Sequence, residues 1–306
     1  MERIVCGKEM IIYYDLRRVP LFKPYFEASG IHHENQFRNL ATFLIHESRI
    51  RKYFSNYFFF KVPKVDPDDD IIIAFDSKTN SKHLNRICAR YPDKRIIYWC
   101  WNPVTNPKLF DLFDERIQVW TYSRADSIKY GIKLNTQFYF DCLTDEATAS
   151  FREPSRPSPK VLFLGRDKGR AQALGSIEAL LKEHGAKTEF ILTEPPKYKA
   201  AFEKLMPYRE VINKVKASDI LLDYYLDTTA GLSLRPMEAM FWGKKLITNM
   251  ESIRDQDFYD PNNIYVLGED RSLDDFFMAP YRPVDPEIKN RYLISNWIRR
   301  FDRNEE

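Results

Sequence analysis

The chain has 306 residues, with 47 basic and 44 acidic side chains and a formal net charge of +3. This length suits two domains of ordinary size, and the charge is too small for a nucleic-acid-binding surface. Only 10 glycines are present, and neither G-x-G-x-x-G nor G-x-x-x-x-G-K-[ST] occurs, so a standard dinucleotide fingerprint and a P-loop are excluded.

The predicted elements begin with a strand over Glu9 to Tyr14. A segment from Phe37 to Val62 interleaves cations (Arg38, Arg49, Arg51, Lys52, Lys61) with aromatic residues. It reads equally as a basic helix resting on an anionic membrane or as a core helix with a charged outer face. The acidic run Asp66-Pro-Asp-Asp-Asp70 precedes an apolar strand, Ile71 to Phe75. His83 to Arg90 reads as a helix, Arg95 to Trp99 and Ile117 to Thr121 as strands, and Ser123 to Tyr130 as a helix ended by Gly131. Gln137 to Phe140 completes the series as a further strand.

Three prolines, Pro154, Pro157 and Pro159, then forbid helix and mark a linker over Arg152 to Lys160. Beyond it, strands are predicted at Val161 to Leu164, Glu189 to Leu192, Ile220 to Tyr225 and Lys245 to Thr248. Helices fall over Ala171 to His184, Tyr208 to Ala217 and Pro236 to Trp242. Alternating strands and helices with short joints imply parallel sheets covered on both faces. The expected fold class is therefore α/β, with two Rossmann-like domains in tandem and a cleft between them as the default ligand site. Residues 1–151 form the first expected domain and 152–285 the second, and a final helix over 286–306 crosses back to the first.

Gly165-Arg-Asp-Lys-Gly-Arg170 lies between a strand and a helix. Gly165 and Gly169 permit close backbone approach, and Arg166, Lys168 and Arg170 supply cationic donors, so the loop suits a phosphate-rich ligand, although taken alone it reads first as a solvated charged turn. A second segment, Gly231-Leu-Ser-Leu-Arg-Pro-Met-Glu-Ala-Met-Phe-Trp-Gly243, follows the third strand of the same half. Together with Gly165-Arg166, it resembles the donor-binding signature of GT-B glycosyltransferases, above all those of bacterial capsule and lipopolysaccharide assembly. The resemblance covers residues 160 to about 268, roughly a third of the chain.

The resemblance implies a metal-independent transfer of a sugar from a nucleotide-sugar donor to a cell-surface glycan or lipid-linked acceptor. The leaving nucleoside diphosphate would be stabilised by fixed donors in place of a metal. Arg166, Lys168 and Arg170 form one expected clamp. The turn Thr229 to Ser233, including Gly231 and Leu232, forms a second with Arg235 nearby, and Glu238 would accept hydrogen bonds from the ribose hydroxyls. The alternative for Glu238 is a carboxylate favoured by its helix dipole. One departure is Ala230, which stands where many retaining members carry a second Glu; Asp227 could replace it only if the turn were remodelled.

For an inverting reaction the general base is expected in the first half, where Asp76 after its strand is preferred over Asp15, His32 and His33. Asp66 to Asp70 superficially satisfies a D-x-D metal motif, but it precedes its strand and reads as a solvated turn, so no metal and no other cofactor are expected. The cysteines, Cys6, Cys88, Cys100 and Cys142, form no C-x-x-C and read as buried reduced thiols. With no signal peptide and no apolar run near the roughly 18 residues of a membrane span, a cytoplasmic enzyme is expected, peripheral on the inner face of the membrane if it meets a lipid-linked acceptor. A nucleotide-sugar epimerase or hydrolase of the same fold, or a non-catalytic nucleotide-sugar-binding protein, would carry the same donor segments.

Overall fold

The computed structural model describes residues 10–13, 19–35, 38, 45, 52–53, 59–76, 81–193, 206–228 and 231–302. Among these the chain divides into two compact units that meet at residues 136 and 137.

The first unit runs β1 (Met10–Tyr13), α1 (Val19–Ala28), β2 (His32–Asn35), β3 (Ile71–Phe75), α2 (Ser81–Arg90), β4 (Arg95–Cys100), β5 (Ile117–Thr121), α3 (Arg124–Tyr130) and β6 (Lys133–Leu134). Its strands are parallel in the order β2-β1-β3-β4-β5-β6. All five residues of β3 are buried, as expected of a continuous apolar strand covered on both faces. Helix α2 turns Ser81, His83, Leu84, Ile87 and Cys88 inward. Helix α3 opens at Ser123, whose Oγ accepts from the Asp126 amide, and ends at Gly131 in the left-handed conformation with φ 63°, where a side chain would be strained.

The second unit contains α4 (Thr144–Ala149), β7 (Lys160–Arg166), α5 (Ala171–Glu183), β8 (Lys187–Thr193), α6 (Tyr208–Lys216), β9 (Ile220–Asp223), α7 (Leu234–Phe241), β10 (Lys245–Thr248) and β11 (Ile264–Val266). It closes with α8 (Leu273–Met278), α9 (Pro286–Arg291) and α10 (Ile294–Arg299). Its sheet is wholly parallel in the order β11-β10-β9-β7-β8. One face packs Val161, Phe163, Ile220 and Leu222 against Leu174 and Leu181 of α5 and Phe276 and Phe277 of α8. Each such side chain contributes about 1.5–3 kcal/mol through burial. Lys245, the first residue of β10, is fully buried, and its Nζ donates to the carbonyls of Phe276, Phe277 and Ala279 at the end of α8. Burial lowers its pKa to about 8.

Counted within the unit, the order is 2-1-3-4-5, so the chain leaves β7 in opposite directions along the sheet and the switch point lies between β7 and β9. These two strands pair only at Val161↔Ile220 and Leu162↔Leu221. Beyond that register their carboxyl ends part, which is where ligands of doubly wound sheets bind.

Several features differ from the expectations. Gln137 to Phe140 is not a ladder strand; Tyr139 makes one isolated bridge to Leu293. Its amide donates to the Tyr292 carbonyl at 2.7 Å and its carbonyl accepts from Ile294 at 2.9 Å. The residues that the sequence assigned to the end of a first domain at 151 thus belong to the second unit from 137 onward. The closing helix packs on them, with Trp297 4.6 Å from Phe138 between ring centroids, inside that unit. The acidic turn is not wholly solvated either: Asp69 is buried and accepts from the Asp66 amide at 3.0 Å. Cys88 and Cys100 are buried as expected, whereas Cys142 is exposed.

Candidate functional site

At the carboxyl end of β7 the chain reverses through Asp167 to Arg170, whose amide donates to the Asp167 carbonyl at 3.0 Å. Lys168 (φ 50°) and Gly169 (φ 89°) are both left-handed, the sign pattern of a type I′ turn. Glycine adopts this freely, while Lys168 does so at a cost of about 1–2 kcal/mol. The Asp167 carboxylate then accepts from the Ala171 amide at 2.7 Å. The first turn of α5 is thus partly neutralised by its own chain, and attraction for an anion falls to side chains. Lys168 is exposed; Arg166 is half-buried, and among the described residues its side chain has no hydrogen-bond or ion-pair partner.

Arg170 turns back into the gap between the parting strands. Its Nε donates to the Arg166 carbonyl at 3.0 Å, its Nη1 to the Tyr224 carbonyl, and its guanidinium lies 4.8 Å from the Phe163 ring centroid. A Cβ at Gly165 would stand 2.6 Å from Arg170 Nη2, so a side chain there would require the guanidinium to shift from where it crosses.

Strand β9 ends at Asp223, whose Oδ2 accepts from Ser233 Oγ at 2.8 Å and whose carboxylate also accepts from the Tyr225 hydroxyl. That hydroxyl accepts from the Ser233 amide at 2.9 Å. Ser233 Oγ in turn accepts from the Arg235 amide at 3.0 Å, capping α7. The backbone of Tyr225 is clasped by Asn249, with both bonds at 2.8 Å. Burial raises the Asp223 pKa, against the lowering effect of Tyr225, Ser233, Arg235 and Arg170.

Arg235 reaches across to β7, where Nη2 donates to the Leu164 carbonyl at 3.0 Å, and its Nη1 pairs with Glu238. Glu238 is 2% exposed. Its Oε1 accepts from the Tyr208 hydroxyl at 3.0 Å and its Oε2 from Arg235, while burial raises its pKa. This carboxylate, expected at the ribose, has both oxygens engaged within the protein, by Tyr208 and by Arg235. Four cations, Arg166, Lys168, Arg170 and Arg235, stand at this edge against three carboxylates, Asp167, Asp223 and Glu238, so it carries a small excess of positive charge.

The other expected residues are distributed as follows. Leu232 is buried and its carbonyl accepts from Gln137 Nε2 at 2.9 Å. Gly231 is half-buried and Asp227 exposed. Thr229 and Ala230 lie outside the described residues, as do Asp15, Cys6 and most of Phe37 to Val62. In the first unit Asp76 sits at the carboxyl end of β3. Its carboxylate accepts from the Asn102 amide at 3.0 Å and from Asn102 Nδ2 at 2.9 Å, tying down the loop after β4. His32 and His33 lie in β2.

Two groups escaped the sequence reading. Asp223 was absorbed into the strand Ile220 to Tyr225, although an acidic residue at the end of the apolar run Ile220-Leu-Leu222 was its signal. His83 is fully buried, stacks on Phe60 at 4.9 Å, and has no hydrogen-bond partner at either ring nitrogen among the described residues. Burial, assisted by Arg86, lowers its pKa to about 4.

No family model and no curated protein matches the chain. Solved structures of related arrangement include the N-terminal domain of Candida albicans trehalose-6-phosphate phosphatase, at 12% identity over 99% of this chain and 97% of that chain, with a TM-score of 0.49. An α1,3-fucosyltransferase with GDP aligns at 10% identity over 97% of this chain and 81% of that one, with a TM-score of 0.44. Likeness at this level identifies no family for the chain.

Proposed function

We propose that the protein is a GT-B type, metal-independent glycosyltransferase that binds a nucleotide sugar at the β7/β9 switch point. In this reading it transfers the sugar to a glycan or lipid-linked acceptor in cell-surface polysaccharide or lipopolysaccharide synthesis. The observation that carries the reading is the parted carboxyl ends of β7 and β9, bordered by Arg166 and Lys168 and walled by the anchored guanidinium groups of Arg170 and Arg235. A diphosphate's negative charge suits an edge that carries Arg166 and Lys168 beside the two guanidinium groups. Donors already held by carbonyls need little reorganisation as the leaving group gains charge.

In this reading Gly165, Gly169, Gly231 and Leu232 shape the backbone around the diphosphate. Arg166 and Lys168 contact it, and Thr229 and the backbone amides of residues 231–233 are the proposed second set of donors. Arg170, Ser233 and Arg235 fix the walls, and Glu238 acts on the donor by holding Arg235. Asp76 is the proposed base on the acceptor side, freed from Asn102 when acceptor binds.

Thermal-shift screening with UDP-glucose, GDP-mannose, ADP-glucose and CMP-sialic acid tests the reading, followed by assays of each hit with and without lipid-linked acceptors. Stabilisation and acceptor-dependent turnover are expected. Lack of stabilisation by every nucleotide sugar would remove the donor site, and equal turnover without acceptor would replace transfer with hydrolysis.

A further inference from the structure

Resting on the donor-site reading, we propose that Asp223 is a positioning residue of that site and that binding of a diphosphate is coupled to uptake of a proton by its carboxylate.

The geometry places a buried carboxylate where an anion must bind. Asp223 closes β9 at the switch point and is 8% exposed. It receives the hydroxyl protons of Ser233 and Tyr225. Through Ser233 it sets the first turn of α7, and thus the position of Arg235. The charged and titratable groups acting on it come from each neighbouring element: Arg170 from the turn before α5, Tyr225 from the end of β9, and Arg235 and Glu238 from α7.

The two guanidinium groups of Arg170 and Arg235 offset the two buried carboxylates of Asp223 and Glu238. An arriving diphosphate competes for the same positive charge, so the carboxylates lose compensation and at least one becomes easier to protonate. Glu238 keeps a direct ion pair with Arg235 and a hydrogen bond from Tyr208. Asp223 has no direct cationic contact among its hydrogen bonds, which come from two neutral hydroxyls. It is therefore the carboxylate that yields. The proton comes from solvent and resides on an Asp223 oxygen; no bond of the ligand changes.

Isothermal titration calorimetry of the full chain with UDP-glucose and GDP-mannose tests this coupling between pH 5.5 and 7.5. Each titration is made in two buffers of different ionisation enthalpy. These ligands have diphosphate bridges of fixed charge, so any proton taken up belongs to the protein. Net uptake is expected, with affinity rising as pH falls, by up to tenfold per unit where uptake approaches one proton. D223N should bind with uptake near zero and a flat pH profile, whereas E238Q should retain uptake. Binding without uptake in the wild type overturns the coupling and leaves the donor site standing, and so does uptake that survives D223N or vanishes in E238Q. Absence of binding by both sugars and by inorganic pyrophosphate overturns the donor site itself. If D223N does not fold, the wild-type uptake and E238Q still decide the question.

Discussion

Nη2 of Arg170 lies 2.6 Å from the point where a side chain at Gly165 would begin. The two residues are thus one device, a gap in the backbone and the guanidinium that fills it. G165A should displace Arg170 from the Arg166 and Tyr224 carbonyls and weaken nucleotide-sugar binding about as much as R170M, by roughly tenfold, or about 1.4 kcal/mol. Because both variants remove the same interaction, the double variant should bind no more weakly than R170M alone. Additive losses in a double-mutant cycle measured by calorimetry would show that the two residues act separately.

Glu238 is enclosed, so its removal should be felt in stability before it is felt in binding. E238A leaves the Arg235 guanidinium and the Tyr208 hydroxyl without their partner, a loss of about 3–5 kcal/mol for a broken buried pair. E238Q keeps an acceptor for Arg235 and should lose less than half as much. Urea unfolding of both variants checks the order. Equal and small losses would return Glu238 to an open, ligand-facing role.

His83 gives the fold an acid sensitivity of known sign. Its folded pKa is lowered from 6.5 to about 4, so below pH 6.5 the unfolded chain takes up a proton that the folded chain refuses. The stability it contributes is present above pH 6.5 and lost as pH falls toward 4, by up to about 3 kcal/mol at 1.36 kcal/mol per unit. H83F preserves the stack on Phe60, removes two unpartnered nitrogens, and should flatten this part of the stability profile. An unchanged slope between pH 6.5 and 4 in H83F would assign the sensitivity elsewhere.

Trp297 is fully buried between Phe138 and Phe301, 4.6 and 4.7 Å away between ring centroids. W297A should lower the stability of the second unit by about 3–5 kcal/mol. Hydrogen exchange should show the loss in the amides of β7 to β10; unchanged protection there would remove Trp297 from the packing that holds this sheet.

Much of the fold was legible because buried parallel strands are short continuous apolar runs. Ile71–Phe75, Ile117–Thr121 and Lys245–Thr248 begin and end where the sequence places them. The run Gln137 to Phe140 has the same appearance, but its rings serve partners over a hundred residues away: Tyr139 stacks on Phe241 at 4.8 Å and accepts a hydrogen bond from Trp242. No local pattern announces such partners. The candidate site was legible to the same depth. Arg170 and Arg235 stand out as cations beside glycines, yet each is held by main-chain carbonyls, at Arg166 and Tyr224 and at Leu164, and a carbonyl leaves no mark in the residue code. Glu238 could be read as an acidic residue at a helix start, but the Tyr208 hydroxyl that closes it in comes from another helix 30 residues earlier.

The pairing of Tyr139 with Tyr292 and Ile294 also bears on how the protein is made. The opening residues of the second unit find their partners only after about 150 more residues have been joined, at roughly 5–20 residues per second on the ribosome. For many seconds Phe138, Tyr139 and Phe140 must wait without Trp297 beside them. The first unit, whose described strands have all been joined by Leu134, can form during that interval. Nascent chains arrested before residue 292 should therefore carry a protease-resistant first unit and an aromatic segment open to chaperones.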